Sequence, residues 1–450
     1  MDFVHTADLH LGKRQYDLDQ RFVDYGRTFL QVVEYAIANR VKFVLIAGDL
    51  FDQRNINAPT YIQANHVLLK LKEAGIPCIA IEGNHDKPFL KDGISWLESL
   101  EWEGLIKVIK PGSERLIENY VDVGDTRIFG MCFAGSMTSD IVPRIRQEIM
   151  DINAARPAAY TILMMHLGVE GKVKGNIIGE VNYETLAPLK ECVNYLALGH
   201  YHNTYDIDGW VYNPGSPDTC SIAEVSDLKG FYHVKDKVAT LCHANIRKFI
   251  IIPINVDTFK DAASLTAAVS DQLEKFNGES GPIVNIILQG TLNFDRSNIN
   301  IDDIKKTIIS KTNALYADLR FDLLNDKFSI SRLDSDSLDR PAIEREIFRK
   351  LAMSDSMLAG HSEFFSKSIA EIKDLAVRGA DEGTMDGVMR KLFEELRHAP
   401  PETPAMVAET PDVKPLPATE QPILVAAKPK KTKKAPTSGD ESVWDWRKPA

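Results

Sequence analysis

This 450-residue chain has few cysteines, no long apolar run and no excess of basic residues. Its five cysteines are scattered, odd in number and without a Cys-x-x-Cys pair, which argues against a disulfide framework and for reduced thiols. No apolar run is long enough to cross a bilayer, and the first residues lead directly into a predicted strand rather than a basic leader. We therefore expect a soluble, cytoplasmic protein without a membrane segment.

The charge balance is acidic, with a formal net charge of -11 at pH 7. Basic patches are the usual footprint of nucleic-acid binding, so composition alone predicts weak affinity for nucleic acid and reliance on a partner. Four basic residues close to the motifs described next are candidate phosphate contacts: Lys13, Arg14, Lys87 and Lys91. The alternative, that these are ordinary solvated side chains, stays open.

Five short polar motifs each follow an apolar stretch that is typical of a buried strand. They are Asp8-Leu9-His10, Gly48-Asp49-Leu50-Phe51-Asp52, Gly83-Asn84-His85-Asp86, His166 and Gly199-His200-Tyr201-His202. In an open α/β sheet, ligands gather outside the carboxyl ends of the strands. The motifs are therefore predicted to meet in one site, although any one of them alone would be an ordinary turn or cap.

The donor types in these motifs indicate a metal centre. Seven carboxylate, amide and imidazole groups are candidate ligands: Asp8, His10, Asp49, Asn84, His166, His200 and His202. Oxygen and imidazole donors without thiolates suit Mn, Fe or Zn. Seven donors exceed what one tetrahedral ion takes, so we expect two ions that share a bridging carboxylate, with Asp49 as the best candidate bridge. Two neighbouring ions are an arrangement that cleaves phosphoesters.

The set of motifs resembles the signature of the calcineurin-like metallophosphoesterases. Within them, the surrounding residues are similar to the SbcD family of DNA repair nucleases, the bacterial and archaeal relatives of the meiotic recombination eleven nuclease. The specific marks are residues 5–12, 47–52, 83–87 and 213–217. The resemblance covers about residues 1–245 and is much weaker beyond them.

The resemblance implies an α/β fold, a metallophosphoesterase β-sandwich flanked by helices, that binds two Mn²⁺ ions. One ion would be held by Asp8, His10, Asp49 and His202, and the other by Asp49, Asn84, His166 and His200. His85 would be the general acid that protonates the departing sugar oxygen. Asp52 would orient His85, as the equivalent carboxylate does in related phosphatases. Some family members carry histidine in place of Asp52, which leaves the substrate preference open.

Three further segments are predicted after the nuclease domain at 1–245. Strands and helices alternate as β-α-β-α-β at about 246–335, a small α+β domain that the resemblance implies to be a cap positioning DNA. Amphipathic helices at about 338–398 would bind an SbcC-type coiled-coil ATPase, with packing on the cap domain as the alternative. Residues 399–450 hold ten of the 22 prolines and a lysine cluster, and are predicted to be disordered.

The sequence thus predicts a manganese-dependent nuclease that acts 3′ to 5′ on duplex ends and endonucleolytically on single strands, in double-strand-break repair. Homodimerisation through helices at about 59–74 and 92–100 is also expected from the resemblance. Two alternatives remain. A protein or small-molecule phosphatase would usually carry an Asp-Arg-Gly run where Asp52 is followed by Gln53-Arg54, and a non-catalytic scaffold would usually have lost metal ligands.

Overall fold

The computed structural model describes residues 1–89, 93–172, 180–276, 281–324, 340–353, 361–377 and 382–398. These residues form two compact units. The first contains residues 1–249 and 281–283, and the second contains the other described residues from 250 onward. Among the described helices, none combines the length and the apolar character that a bilayer crossing needs.

The first unit is built on two six-stranded sheets. The first sheet has the spatial order β14 (Val238–His243), β13 (Gly230–Lys235), β1 (Asp2–Thr6), β2 (Phe43–Ile46), β3 (Cys78–Ala80) and β4 (Lys107–Val108). The second has the order β11 (Tyr205–Ile207), β12 (Val211–Asn213), β10 (Tyr195–Gly199), β7 (Tyr160–His166), β6 (Thr126–Met131) and β5 (Tyr120–Val123). A short parallel pair joins β8 (Gly168–Val169) to β9 (Glu180–Val181).

Helices cover the outer face of each sheet. The helices of this unit are α1 (Asp19–Ala38), α2 (Ala58–Glu73), α3 (Trp96–Trp102), α4 (Thr138–Ala155) and α5 (Tyr183–Leu186). Leu45 and Ile162 lie in the cluster between the sheets, whereas Val44 and Leu163 face the helices. Because both faces of the central strands are buried, those strands read as continuous apolar runs. The predicted sandwich flanked by helices is confirmed.

The strands that precede the five motifs are parallel neighbours. β1, β2 and β3 pair in parallel in the first sheet, and β7 pairs in parallel with β10 in the second. Parallel neighbours present their carboxyl ends at one edge, where ligands gather. Two glycines let the motifs approach one another, since a Cβ on Gly48 would collide with the ring of His166 and one on Gly83 with the carboxylate of Asp49.

The second unit follows the predicted β-α-β-α-β order. Its elements are β15 (Phe249–Asn255), α6 (Ala262–Leu273), β16 (Ile283–Gly290), α7 (Ile301–Thr312) and β17 (Tyr316–Leu323), and the strand order is β15-β16-β17. Both helices pack apolar side chains on the sheet, among them Leu265 and Ile304. Three more helices follow, α8 (Arg340–Met353), α9 (Ser362–Val377) and α10 (Glu382–His398), and α9 packs against the other two. The predicted tail at 399–450 lies outside the described residues.

Candidate metal centre

His10 and His202 form one end of a cluster that contains all seven predicted donors. Their Nε2 atoms lie 3.0 Å apart. Nδ1 of His202 lies 2.9 Å from Oε1 of Glu224, and Nδ1 of His10 lies 3.2 Å from Oδ1 of Asp52. A carboxylate only accepts, so Nδ1 of His202 carries the ring proton, and the charge of Asp52 favours a proton on Nδ1 of His10 even without hydrogen-bond geometry. The two Nε2 atoms then face each other. A positive charge between them, either a proton or a metal ion, is needed to make this contact favourable.

Asn84, His166 and His200 form the other end. Oδ1 of Asn84 lies 3.2 Å from Nε2 of His166 and 3.1 Å from Nδ1 of His200. Nδ1 of His166 donates to the main-chain oxygen of Ala47 at 2.8 Å, so Nε2 is the ring atom that faces the cluster. Burial opposes a charged ring at His166, but the charge of Asp49 and its contact with the ring raise the pKa of His166 to about 9. This end therefore also attracts positive charge.

Asp49 lies close to both ends of the cluster, and its role as a bridge stays a prediction. Oδ2 lies 3.2 Å from Nε2 of His166, and Asp49 offers an oxygen within 4.8 Å of the donors of both His10 and Asp8. Burial opposes its charge, but the surrounding imidazoles hold the pKa of Asp49 well below its usual range. The pKa of Asp8 moves the opposite way, to about 6, because of burial and the neighbouring charge of Asp49. Two buried carboxylates this close need positive charge, which two divalent cations would supply.

Four of the seven donors stand on left-handed backbone. Their φ angles are 52° for Asp8, 46° for His10, 51° for Asp49 and 94° for His200. Residues other than glycine rarely adopt this region, and strained conformations of this kind cluster at functional sites. The strained turns at the strand ends aim the donor side chains inward, and the donor set fits a two-metal centre.

The structure corrects the predicted contact between Asp52 and His85. Nδ1 of His85 lies 2.6 Å from the main-chain oxygen of Asp52, whereas the Asp52 carboxylate contacts His10 and accepts from Nζ of Lys13 at 2.9 Å. The Asp52 carboxylate therefore contacts the buried ring of His10 and the ammonium of Lys13 instead of His85. Because a carbonyl only accepts, Nδ1 of His85 donates, and Nε2 is the atom at which a second proton can enter or leave.

Asp86 has a structural part in the centre that the sequence analysis did not assign. Its buried carboxylate accepts from the backbone N–H groups of Leu50, Phe51 and Gly83 at 3.2, 3.0 and 3.0 Å. It thus ties the turn that carries Asp49 to the turn that begins at Gly83. Burial, and then the charge of Asp49, raise the pKa of Asp86 to about 7. Its place in the Gly-Asn-His-Asp motif was the available signal.

Two further residues at the His10 end were missed. Glu224 contacts His202 but lies 22 positions along the chain, outside every motif. Cys220 brings its sulfur within 4.8 Å of ring nitrogens of both His10 and His202. The sequence predicts a donor set without thiolates, whereas the structure places one cysteine sulfur beside two of the predicted ligands. No spacing rule in the sequence connects either residue with the motifs.

The four predicted phosphate contacts lie in different surroundings. Lys13 is committed to Asp52, and Arg14 pairs with Asp19 while its guanidinium lies 4.6 Å above the ring of Phe22. Nζ of Lys87 lies 5.0 Å above the ring of Phe133, which in turn lies 5.2 Å from the ring of His200. Lys91 lies outside the described residues. Lys87 thus has the place nearest to the second end of the cluster, and its contact with DNA stays a prediction.

Comparisons with known proteins identify the family. Residues 1–204 match the family model described as calcineurin-like phosphoesterase. The chain is 29% identical over 308 residues to the DNA double-strand break repair protein Mre11 of Sulfolobus acidocaldarius. The aligned region covers 65% of this chain and 76% of that protein. It is 31% identical over 300 residues to the protein of the same name from Sulfurisphaera tokodaii, with 64% of this chain and 73% of that protein covered.

Proposed function

The chain belongs to the Mre11 and SbcD family of DNA repair nucleases, and we propose that it is the manganese-dependent nuclease subunit of a complex with an SbcC-type ATPase. Family membership makes it a metal-dependent DNA phosphodiesterase. The finer proposal is that it degrades duplex ends 3′ to 5′ and cuts single strands internally, in double-strand-break repair. The observation that carries the proposal is the meeting of seven donors at the carboxyl ends of strands from both sheets.

The proposed ligand sets come from the family resemblance, and the contacts between His10 and His202 and among Asn84, His166 and His200 fit them. One ion would be held by Asp8, His10, Asp49 and His202, and the other by Asp49, Asn84, His166 and His200. When bound, the two ions supply positive charge that clamps the attacking and leaving oxygens of a phosphodiester. Two contacts set which ring nitrogen faces the proposed ions. Nδ1 of His202 donates to Glu224, and Nδ1 of His166 donates to the main-chain oxygen of Ala47, so Nε2 of each ring points into the cluster.

His85 is the proposed proton donor for the departing sugar oxygen. Its Nδ1 is held by the carbonyl of Asp52, and its ring centroid lies 5.1 Å from that of His10. The ring thus borders the centre without an assigned place among the ligands, and its Nε2 is the atom that would deliver the proton. Histidine fills this general-acid role more often than any other side chain.

Assembly with a second copy and with an ATPase is proposed on the family resemblance. Of the apolar residues on the helix expected at about 59–74, Ala64, Leu68 and Leu71 are fully buried in the core of their own chain and are not available for pairing. The apolar side chains exposed beside α2 and α3 are Ile62, Ile94, Trp96 and Trp102, and we propose that these meet a second copy. For the ATPase, a chain ending at Asp339 should lose co-purification with it and keep metal binding. Equal capture of both chains would remove this role from α8, α9 and α10.

A nuclease assay tests the proposed activity and its polarity. Duplex and single-stranded DNA, labelled at either the 5′ or the 3′ end, is incubated with the metal-free protein and added Mn²⁺, Mg²⁺ or Zn²⁺. We expect Mn²⁺ to give the fastest cleavage, mononucleotide release from 3′ ends of duplexes, and internal cuts in single strands. Hydrolysis of phosphomonoesters or phosphopeptides without DNA cleavage would favour a phosphatase instead.

A further inference from the structure

We propose that Glu224 is a positioning residue for the metal centre, which holds the ring of His202 so that Nε2 faces the metal ion. Lys229 in turn holds the Glu224 carboxylate in place. The inference rests on the proposed function, since it gives a role to a residue next to a proposed ligand. No motif contains Glu224 or Lys229, so the assignment comes from contacts alone.

Both carboxylate oxygens of Glu224 are engaged. Oε1 accepts from Nδ1 of His202 at 2.9 Å. Oε2 accepts from Nζ of Lys229 at 2.7 Å and from the backbone N–H of Cys220 at 3.0 Å, with the hydroxyl of Ser216 at 3.5 Å. Contacts with an imidazole, an ammonium and a backbone N–H thus fix the orientation of the Glu224 carboxylate.

Lys229 is an unusual neighbour, because its side chain is only 3% exposed. Its ammonium donates to Glu224, to the hydroxyl of Ser216 at 2.8 Å and to the main-chain oxygen of His202 at 3.0 Å. A buried ammonium is costly unless all its donors are used, and here all three have acceptors. The same pair of residues therefore fixes the ring of His202 through Glu224 and the backbone of His202 through Lys229.

This arrangement has a defined chemical effect. A carboxylate on one ring nitrogen sets the tautomer, aims the other nitrogen and makes it a stronger electron donor to a metal. The comparable contact at His10 is longer, at 3.2 Å, and its carboxylate is shared with Lys13. Glu224 is accordingly the better-placed anion at this end, and its main effect is expected on the ion bound by His202.

Calorimetric titration of the metal-free full chain with Mn²⁺ tests the proposal. Glu224→Gln should weaken one of two binding events by about 10–100-fold and leave the other unchanged. The matched control is Glu148→Gln. Glu148 is also a mostly buried carboxylate, and it lies on α4, where it accepts from the backbone N–H of Ile117 and from the guanidinium of Arg144. The control should bind both ions like the unchanged chain.

A second readout reports the ring directly. In the protein loaded with diamagnetic Zn²⁺, the ¹⁵N shift of Nδ1 of His202 should report a proton shared with a carboxylate in the unchanged chain and should move in Glu224→Gln. Unaltered affinities and an unaltered Nδ1 shift would overturn the proposal. A parallel loss of both ions with a lower unfolding temperature would overturn it too, since that indicates a structural role. If the unchanged chain fails to bind two ions, the proposed function is wrong rather than the role of Glu224.

Discussion

The two ends of the metal centre are held by different kinds of acceptor. At the His10 and His202 end, the outer ring nitrogens face side-chain carboxylates. At the other end, the outer nitrogen of His166 donates to a main-chain carbonyl, that of Ala47 directly after β2. A carbonyl in a strand turn cannot be removed by substitution, whereas a carboxylate can be lost in one step.

This difference separates a fixed end from an adjustable one. A carboxylate adds a full negative charge to its histidine, so exchanging that residue changes metal affinity without changing any ligand. A neutral carbonyl orients the ring with less effect on its charge. The His10 and His202 end is therefore the place where metal preference can be altered, and the His166 end gives the centre its constant geometry.

The largest effect is expected where the two ends meet. Asp49→Asn should abolish DNA cleavage and lower the content of both ions, because Asp49 contacts His166 and lies within reach of His10. Metal content of the purified variant, measured by atomic emission, checks this. Asp122→Asn, which changes a carboxylate paired with Arg127, is the control. Two tightly held ions in Asp49→Asn would contradict the bridge and make the two ends independent.

A smaller loss is expected for a residue that lies beside the His10 end without being a proposed ligand. His85→Gln should cut the cleavage rate by roughly 10²–10⁴-fold and leave metal content near normal. Single-turnover assays on end-labelled DNA, with metal analysis of the same sample, measure both quantities. A variant that loses one ion would show that His85 is a ligand of the His10 end, which its place in one donor group with His10 and Asp49 permits.

The raised pKa of Asp8 should make the stability of the metal-free protein depend on pH. Its folded pKa, about 6, lies above the ordinary value of 3.8, so neutral Asp8 stabilises the metal-free protein most below pH 3.8, and this contribution disappears as the pH rises through 6. The shift corresponds to at most about 3 kcal/mol. Thermal unfolding of the metal-free protein from pH 4 to pH 8 measures it, and Asp8→Asn should flatten the profile. Equal slopes in both proteins would remove Asp8 as the cause.

The smallest effect on the centre is expected from the proposed dimer surface. Trp102 is 72% exposed on α3, so Trp102→Asp should yield monomers while both ions bind normally. Light scattering and metal titration of one sample separate the two outcomes. Val238→Asp adds the same charge at an exposed apolar residue of β14, the edge strand opposite β4, and is the control. A Trp102→Asp dimer would exclude this surface, and weakened metal binding would show that it supports the centre.

The sequence was most informative where function and secondary structure coincide. The motifs at Asp8, Asp49, Asn84, His166 and His200 could be located because each follows an apolar strand, and parallel strands bring their ends together. The order of elements in the second unit followed from its apolar spacing. These signals depend on neighbours along the chain, which a single sequence displays directly.

Contacts one step outside the motifs could not be predicted in the same way. Glu224 lies at the end of a short 3-10 helix and contacts the ring of His202. Lys229, five positions later, donates to Glu224 and to the main-chain oxygen of His202. The Asp52 carboxylate was assigned to His85 by analogy, but a competing ring and ammonium lie closer to it. Such choices depend on which loop side chains become buried together, and no periodicity or spacing encodes that.

The left-handed donors have a consequence for how this protein can change over generations. Each such residue costs the folded state about 1 kcal/mol or more, which most substitutions by glycine would relieve. Replacing Asp8, His10, Asp49 or His200 could therefore make the chain sturdier in one step while ending its chemistry. Without selection for the reaction, nothing would oppose such replacements. Stability alone therefore does not account for these four residues, whereas their place among the predicted ligands does.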